Sequence, residues 1–252
     1  MKIESLQNAT VKALVRLKNK KDRDKSGEFL VEGLHMLQEA AQAGCLKQVY
    51  MLDTLPEFTQ APVTFCSQAV LNKLSSQKSD AKYIGLCTKP ELHPDLKPVE
   101  GKPFHILLLD RIQDPGNMGT LIRSACAFGF DGVFCSGDCA DLYNPKTIQS
   151  TQGALFQIPV MTDDLETVIS RLQAQQVTVY GAALHQDSTA LRNLSIASSS
   201  AVVIGNEGQG IRPEILNCCD RLVHIEMETF ESLNAAIAGS IFMYELMCAG
   251  LH

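Results

Sequence analysis

The chain of 252 residues carries 22 Lys and Arg residues against 28 Asp and Glu residues, a formal net charge of −6. Its 45% hydrophobic and 20% charged content is typical of a globular protein with a substantial core and argues against disorder. The N-terminal segment lacks a continuous apolar stretch, and no run of about 18 uncharged apolar residues occurs, which excludes a visible signal peptide and a membrane span. The sequence therefore predicts a soluble cytoplasmic protein.

The nine cysteines do not follow the spacing of a disulfide framework or of a metal site. Cys135 and Cys139 lie four residues apart, Cys218 and Cys219 are adjacent, and the others are scattered without a CxxC pair. An odd number of cysteines in this arrangement is typical of reduced, mostly buried thiols. We therefore expect no metal.

Charge is distributed unevenly along the chain. Residues 1–100 hold 14 basic and 12 acidic residues, whereas residues 101–252 hold 8 basic and 16 acidic residues. The segment from Lys12 to Lys25 contains seven basic and two acidic residues. This excess of positive charge is enough to attract a polyanion locally. A solvated helix face would show the same pattern. The candidate polyanion contacts are Lys12, Arg16, Lys18, Lys20, Lys21 and Arg23.

The first 88 residues are predicted to form a small α/β domain. A helix over 11–17 ends in the polar run 18–25, and further helices are predicted over 33–43 and 69–76. Strands are predicted over 29–31, 49–52, 63–66 and 83–87. Residues 89–103 contain four prolines without helical or strand periodicity, which indicates a linker between domains.

Residues 104–252 are predicted to form a second α/β domain, because apolar strands alternate with helices. The strands are predicted at 106–110, 133–135, 178–181, 201–205 and 222–225. The helices are predicted from about 117, near 163–175, near 212–218, and from about 232 to 248. Nearly continuous apolar strands between helices indicate a parallel sheet covered on both faces.

Three polar segments follow apolar strands or begin helices in this second part. The strand 201–205 runs into a turn with Gly205, Gly208 and Gly210, which suits either close approach of a ligand or a plain tight turn. Asn117 is a candidate N-cap, and Arg123 in the next turn either pairs with a structural carboxylate or faces an anionic ligand. Ser232 or Asn234 caps the last helix or contributes to a site.

Together these segments resemble the SpoU (TrmH-type) RNA ribose 2′-O-methyltransferases of the SPOUT superfamily. The motifs stand here as Asn117-x-Gly119-x-x-x-Arg123, Ile204-Gly-Asn-Glu-Gly-x-Gly210 and Glu231-Ser-Leu-Asn234, with Gly153-Ala-Leu-Phe-Gln-Ile-Pro159 between the first two. The likeness covers about residues 104–252, and the first domain is similar to the family's substrate-binding domain, which has a ribosomal-protein-like fold. Gln149 and Thr151 depart from the family pattern, which weakens the case for one RNA or phosphate contact.

The resemblance implies a deep trefoil knot in the C-terminal domain, a homodimer whose active site is completed across the interface, and S-adenosylmethionine as cofactor. It implies that Arg123 clamps a phosphate or stabilises the developing charge on a ribose 2′ oxygen, because a guanidinium is an implausible base. Asn117, Glu207, Ser232 and Asn234 would orient Arg123, the ribose and the cofactor. The implied cofactor-binding residues are Ile204, Gly205, Asn206, Gly210, Ile225, Met227, Leu233 and Asn234.

The requirement for a 2′-OH makes RNA the expected substrate, with 23S ribosomal RNA favoured over tRNA. Two other functions remain open at this point. The first is an RNA-binding homologue that has lost catalysis, against which the intact motif residues count. The second is a nucleotide-dependent oxidoreductase, which would require a GxGxxG turn after an early strand and an acidic residue about 20 positions further on. That arrangement is absent from the sequence.

Overall fold

The computed structural model describes residues 2–55, 58, 60–77, 80–90, 96–185, 187–229 and 232–249. Contacts within the chain group it into two units. The first unit comprises Met1–Glu91 together with Asp141–Gln157, and the second comprises Leu92–Ala140 together with Ile158–His252. The predicted domain boundaries, with a linker over 89–103, stay a prediction, and five residues of that linker, 91–95, lie outside the described residues.

The chain order of the elements interleaves strands and helices throughout. The strands are β1 (Lys2–Ile3), β2 (Glu28–Glu32), β3 (Leu46–Met51), β4 (Val63–Cys66), β5 (Tyr83–Thr88), β6 (Phe104–Asp110), β7 (Gly132–Cys135), β8 (Val160–Thr162), β9 (Thr178–Ala182), β10 (Thr189–Ala190), β11 (Ser199–Gly205) and β12 (Arg221–His224). The helices are α1 (Ala9–Arg16), α2 (Lys20–Ser26), α3 (Leu34–Gln42), α4 (Gln68–Leu74), α5 (Pro115–Ala127), α6 (Pro145–Thr151), α7 (Leu165–Ala174), α8 (Pro213–Cys218) and α9 (Ala235–Ala249).

The first unit is built on a mixed five-stranded sheet in the order β1-β4-β3-β5-β2. Because successive side chains of a strand point to opposite faces, the sheet carries two apolar layers. One layer contains Phe29 and Val49 and packs against Leu37 of α3. The other contains Ile84 and packs against α1 and α4 through Leu14, among others. The predicted small α/β domain therefore corresponds to this sheet and its helices.

The polar run 18–25 does not end a helix as predicted, because most of it forms a helix of its own, α2. Long-chain Lys and Arg residues have good helix propensity, and Gly27 ends α2 in the left-handed conformation with φ of 69°. The charged sequence of this helix did not reveal that one of its arginines is buried. Arg23 is 3% exposed, donates a 2.7 Å hydrogen bond to the Leu17 carbonyl and pairs with Asp141.

The second unit is built on a seven-stranded sheet in the order β10-β12-β9-β11-β6-β7-β8, and every neighbouring pair is parallel. The predicted parallel sheet is thus confirmed. All seven residues of β6 are buried, as expected of a central strand covered on both faces. The short elements β1, β8, β10 and α6 were not predicted, because segments of two to seven residues are too short to show a clear periodicity of apolar residues.

Helices cover both faces of this sheet. On one face Val203 and Ala201 of β11 pack with apolar residues of α7, such as Ile169. On the other face, α9 lies so close to α5 that a Cβ on Gly239 would stand 2.4 Å from Leu121 Cδ2 and 3.3 Å from Ile204 Cγ1. Within the described residues, no helix has the length and apolar character needed to cross a membrane. The trefoil knot stays a prediction.

Candidate active site

The candidate site lies at the carboxyl edge of the second unit's parallel sheet. The ends of β6 and β11 are paired in register, with Gly205 opposite Asp110. Ligands in parallel α/β sheets commonly bind where strands of this kind end and loops begin. The first turn of α5, which follows β6, contains Asn117, and the turn that follows β11 contains Glu207; both are among the predicted site residues.

The glycine-rich segment after β11 is both a tight turn and part of a cavity wall. Asn206 and Gly210 exchange backbone hydrogen bonds of 3.0 and 2.9 Å, and the Asn206 Oδ1 atom accepts from the N–H groups of Gly208 and Gln209. A Cβ on Gly205 would lie 2.3 Å from backbone atoms of Gly210 and Ile211. Only glycine therefore allows the turn to fold back onto the end of its own strand.

A buried ion pair anchors the far end of this turn. Asp110 is fully buried, and its carboxylate accepts 2.8 Å hydrogen bonds from both the backbone N–H and the Nε of Arg212. A buried carboxylate needs such partners, because an unpaired charge in the core is costly. No local sequence pattern predicts this pair, because it joins residues 102 positions apart. An acidic residue at the end of an apolar strand was the signal that could have suggested a role for Asp110.

Three predicted catalytic residues form one chain of hydrogen bonds. Asn117 Nδ2 donates to Glu207 Oε1 at 2.9 Å, and Asn234 Nδ2 donates to Asn117 Oδ1 at 3.0 Å. The Asn234 Oδ1 atom also accepts from the backbone N–H groups of Ala236 and Ile237 at 2.9 and 3.3 Å. Asn234 thus caps α9, as one of the two alternatives had it, and its amide also binds Asn117. Its contribution to a functional site stays a prediction. The three motifs meet through their amide and carboxylate groups.

Asn117 is not the N-cap of α5, as had been predicted. The cap is Asp114, whose Oδ1 accepts a 2.9 Å hydrogen bond from the backbone N–H of Asn117. Pro115 occupies the first helical position, where its missing N–H costs nothing, and this places the helix start two residues earlier than expected. The Asn117 side chain is released from capping and is available to Glu207 and Asn234.

Glu207 is held as a carboxylate. Burial alone would raise the pKa of Glu207, but hydrogen bonds from Asn117 and from backbone N–H groups, including those of Asp114 and Gln113, outweigh it and lower that pKa below its ordinary value. These donors stabilise the ionised form. Glu207 is therefore suited to accept hydrogen bonds and to orient Asn117.

The lowered pKa of Glu207 predicts a specific acid sensitivity. Because the pKa of Glu207 is lower in the folded than in the unfolded state, its carboxylate stabilises the fold at pH values above the ordinary glutamate pKa. This stabilisation is lost as the pH falls through the folded-state pKa. We expect the urea midpoint of the wild-type protein to fall more than that of Glu207→Gln between about pH 7 and about pH 3. Parallel pH profiles of the two proteins would show that the carboxylate has no such stabilising contacts.

Arg123 lies apart from this chain of hydrogen bonds. It is an exposed residue of α5, and its guanidinium makes no hydrogen bond or ion pair within the described residues. A structural pair with a carboxylate, the simpler alternative, is thus not found in the part of the chain that the structure describes, and the role of Arg123 stays a prediction. An exposed guanidinium without an internal partner is free to bind an anionic group.

A cavity of about 420 Å³ opens between the glycine-rich turn, the end of β12 and the start of α9. Most of the predicted cofactor-binding residues line it: Ile204, Gly205, Asn206, Gly210, Ile225, Met227 and Leu233. Ser232 and Glu207 also contribute to its wall, whereas Asn234 lies behind it in the hydrogen-bonded chain. Glu231 of the third motif lies outside the described residues.

Further residues line the cavity that the sequence did not assign to a site, including Ala182, Leu184 and Phe242. His185 also lines this cavity. Ala182, Leu184 and His185 lie at or just after the end of β9, whereas Phe242 lies in α9. The sheet order, in which β9 lies between β12 and β11, brings the end of β9 beside the glycine-rich turn and the end of β12.

The predicted RNA contacts divide into exposed and buried residues. Lys12, Arg16, Lys18, Lys20 and Lys21 are exposed, and Lys20 forms a 3.3 Å ion pair with Asp24. Arg23 has to be removed from the set, because its guanidinium is buried and paired with Asp141. Among the described residues, no group of three His, Cys, Asp or Glu side chains could hold a metal ion. All nine cysteines are free thiols.

Two family models match the chain and together span most of it. Residues 105–244 match the model of the SpoU rRNA Methylase family, and residues 8–85 match the MRM3-like substrate binding domain. The first match covers more than half of the chain and contains every hydrogen-bonded residue of the candidate site. The second corresponds to the five-stranded unit that precedes it.

Similar proteins span nearly the whole chain. The 23S rRNA (guanosine(2553)-2′-O)-methyltransferase RlmP of Bacillus subtilis is 34% identical, with 97% of this chain and 98% of that protein covered. The 23S rRNA (uridine(2479)-2′-O)-methyltransferase of Streptomyces viridochromogenes is 27% identical over 91% of this chain and 85% of its own length. The AdoMet-bound rRNA methyltransferase structure from Sinorhizobium meliloti superposes with a TM-score of 0.87 at 28% identity, covering 98% of this chain and 97% of that one.

Proposed function

Because this chain belongs to the SpoU rRNA methylase family, we propose that it transfers a methyl group from S-adenosylmethionine to a ribose 2′-OH of 23S ribosomal RNA. The observation that carries the proposal is the chain of hydrogen bonds from Glu207 through Asn117 to Asn234, beside a cavity of about 420 Å³. This arrangement unites all three motifs of the family in one place. Two relatives named as 23S rRNA 2′-O-methyltransferases support the choice of substrate.

The cavity fits the cofactor of this family. Its wall combines aliphatic side chains, such as Ile204 and Leu233, with the polar backbone of the glycine-rich turn. A mostly apolar cleft with a few fixed polar groups is typical of small-molecule sites. When bound there, S-adenosylmethionine would supply an activated methyl group on a sulfonium. The turn would contact it closely, because Gly205 lets the turn fold back on the end of its own strand and the turn's glycines line the cavity.

The residues of the site would act by positioning and by electrostatics. Glu207 fixes the Asn117 amide, and Asn117 in turn fixes Asn234 at the start of α9. Holding reacting groups in line supplies much of the rate enhancement in a transfer of this kind. Arg123 would contact the phosphate beside the target ribose or stabilise the charge that develops on its 2′ oxygen.

A homodimer is part of the proposal. Helix α9 is apolar on nearly all sides, which is typical of a helix buried all round, yet Ile237 and Tyr244 are 54% and 50% exposed. These residues are seven positions apart and so share one face of the helix. A second copy of the chain would cover this face. Residues of that second copy would also lie beside Arg123, whose guanidinium has no partner among the described residues.

The dimer proposal predicts that Ile237→Glu yields a monomer. A charge buried in an apolar interface is costly, so the equilibrium should shift strongly toward dissociation. Light scattering coupled to size-exclusion chromatography would measure the mass. Val99→Glu is the matched control, since Val99 is also exposed and apolar, at 58%, but lies outside α9. A wild-type protein that runs as a monomer would contradict the proposal.

The cytoplasm is the proposed location, because ribosomal RNA is found there and because the nine free thiols suit a reducing compartment.

Titration calorimetry with S-adenosylmethionine, and with NADH as a control, tests the choice of cofactor. We expect micromolar binding of S-adenosylmethionine alone. Binding of NADH instead would favour an oxidoreductase. Methylation of tRNA in preference to 23S RNA would keep the reaction and change the substrate.

A further inference from the structure

A second cavity, of about 270 Å³, lies within the first unit and has no part in the site described above. Its floor is aliphatic and includes Leu30, Leu74, Ile84 and Ile148. Leu74, Ile84 and Ile148 are each at most 3% exposed, so this floor is a fixed part of the core. An apolar floor of this size, open on one side, suits one flat ring system rather than a larger molecule.

Polar groups surround this apolar floor. Gln77 and Gln149 both line the cavity and share a single hydrogen bond, at 3.4 Å near the long limit for such bonds. Glu32 also lines it, and its two oxygens accept hydrogen bonds of 2.8 and 2.9 Å from Ser75 Oγ. An ionised carboxylate has about four acceptor sites, and each amide offers two donors and an acceptor oxygen. The cavity thus combines hydrogen-bond acceptors and donors with an apolar floor.

Cations lie on helix α1 and on the residues that follow it into the cavity wall. Lys18 lines the cavity and donates a 2.6 Å hydrogen bond to the Ser75 carbonyl. Lys12 and Arg16 are exposed on α1, and their spacing of four residues places them on one side of that helix. In the described residues neither forms an ion pair. Because Leu17 and Lys18 connect α1 to the cavity wall, a base-sized cavity and a cationic helix follow one another along the chain, which suits a ligand with flat bases and phosphates.

We propose that this cavity binds one unpaired nucleobase of the RNA substrate. The aliphatic floor would contact the base, the amides of Gln77 and Gln149 and the Glu32 carboxylate would bind its edge, and Lys12 and Arg16 would contact flanking phosphates. The identification of the ligand as RNA rests on the proposed function. Proteins read RNA mainly at unpaired bases, whose faces and edges are accessible, whereas the deep groove of an RNA duplex is closed to side chains.

Ser76→Phe tests the proposal by filling the mouth of the cavity from an exposed loop position. Gln42→Phe is the matched control, because it adds the same ring to an exposed residue of α3 that does not line the cavity. The probes are a fluorescein-labelled RNA of mixed sequence, about 12 nucleotides long, and the same strand annealed to its complement. Binding is measured by fluorescence anisotropy over a range of salt concentrations.

We expect Ser76→Phe to bind the single strand about tenfold more weakly, the loss of one base contact, and to bind the duplex like the wild type. The salt dependence of binding should be unchanged, because no phosphate contact is removed. Gln149→Ala, which removes an edge contact without adding bulk, should weaken single-strand binding in the same direction. Equal affinity of Ser76→Phe and Gln42→Phe for the single strand, or an equal loss on both RNAs, would overturn the proposal.

The proposed function and this inference can fail separately. Methyl transfer to 23S RNA with an unchanged KM in Ser76→Phe would overturn the base-binding cavity and leave the enzyme activity intact. Absence of methyl transfer in the wild type, with selective loss of single-strand binding in Ser76→Phe, would overturn the activity and leave the cavity as an RNA-binding site.

Discussion

Arg123→Ala is expected to lower methyl transfer at least about 100-fold while leaving cofactor affinity and the dimer unchanged. The side chain is exposed, so its removal opens no cavity, and within the described residues it holds nothing else in place. Loss of a group that stabilises developing charge affects kcat more than binding of the ground state. Single-turnover transfer of a labelled methyl group to 23S RNA measures the effect, together with calorimetry for cofactor affinity.

Arg171→Ala is the control for this experiment, because Arg171 is a 50% exposed arginine of α7 that forms a 3.6 Å ion pair with Asp163. Arg123→Lys adds a second comparison. A lysine retains the charge but not the planar pair of donors, so we expect only partial activity if the guanidinium binds a phosphate or oxyanion. Wild-type turnover in Arg123→Ala would show that Arg123 has no role in catalysis.

Gly205→Ala is expected to abolish cofactor binding, with affinity reduced at least about 100-fold, and to lower stability by about 1–3 kcal/mol. The added Cβ would stand 2.3 Å from backbone atoms of Gly210 and Ile211, and backbone cannot move aside as a flexible side chain can. Opening the turn would displace Asn206 and Glu207 from the cavity wall. Calorimetry with S-adenosylmethionine and urea denaturation measure the two effects.

Gly208→Ala provides a matched control within the same turn. A Cβ at Gly208 would meet only Asn206 Oδ1, at an ordinary contact distance of 3.7 Å. We therefore expect this variant to bind the cofactor within a few fold of the wild type. If Gly205→Ala bound it equally well, the folded-back turn could not be the wall of the cofactor site.

The sequence predicted the parts of the fold that depend on apolar periodicity. The buried strands β6 and β11 read as continuous apolar runs, and their helices follow at regular spacing, so the parallel sheet could be deduced without coordinates. The helix α2 could not, because its only buried side chain is the charged Arg23. The partner of Arg23 is Asp141, 118 positions further on, which no local pattern connects to it.

The site was predicted as a set of residues but not as a geometry. The resemblance to a known family brought together Asn117, Glu207 and Asn234, and the structure joins these three by hydrogen bonds. The capping role of Asp114 and the buried pair of Asp110 with Arg212 depend on the path of the backbone, which periodicity does not describe. The grouping of residues 141–157 with the first unit is likewise a tertiary property.

The most direct test of the account is methyl transfer by the purified protein to 23S RNA that lacks the modification, with the product mapped at nucleotide resolution. We predict stoichiometric incorporation at one ribose 2′ oxygen, dependent on S-adenosylmethionine and lost in Arg123→Ala. A methyl group found on a base, or no incorporation despite selective binding of the cofactor, would contradict the assignment of ribose 2′-O-methylation.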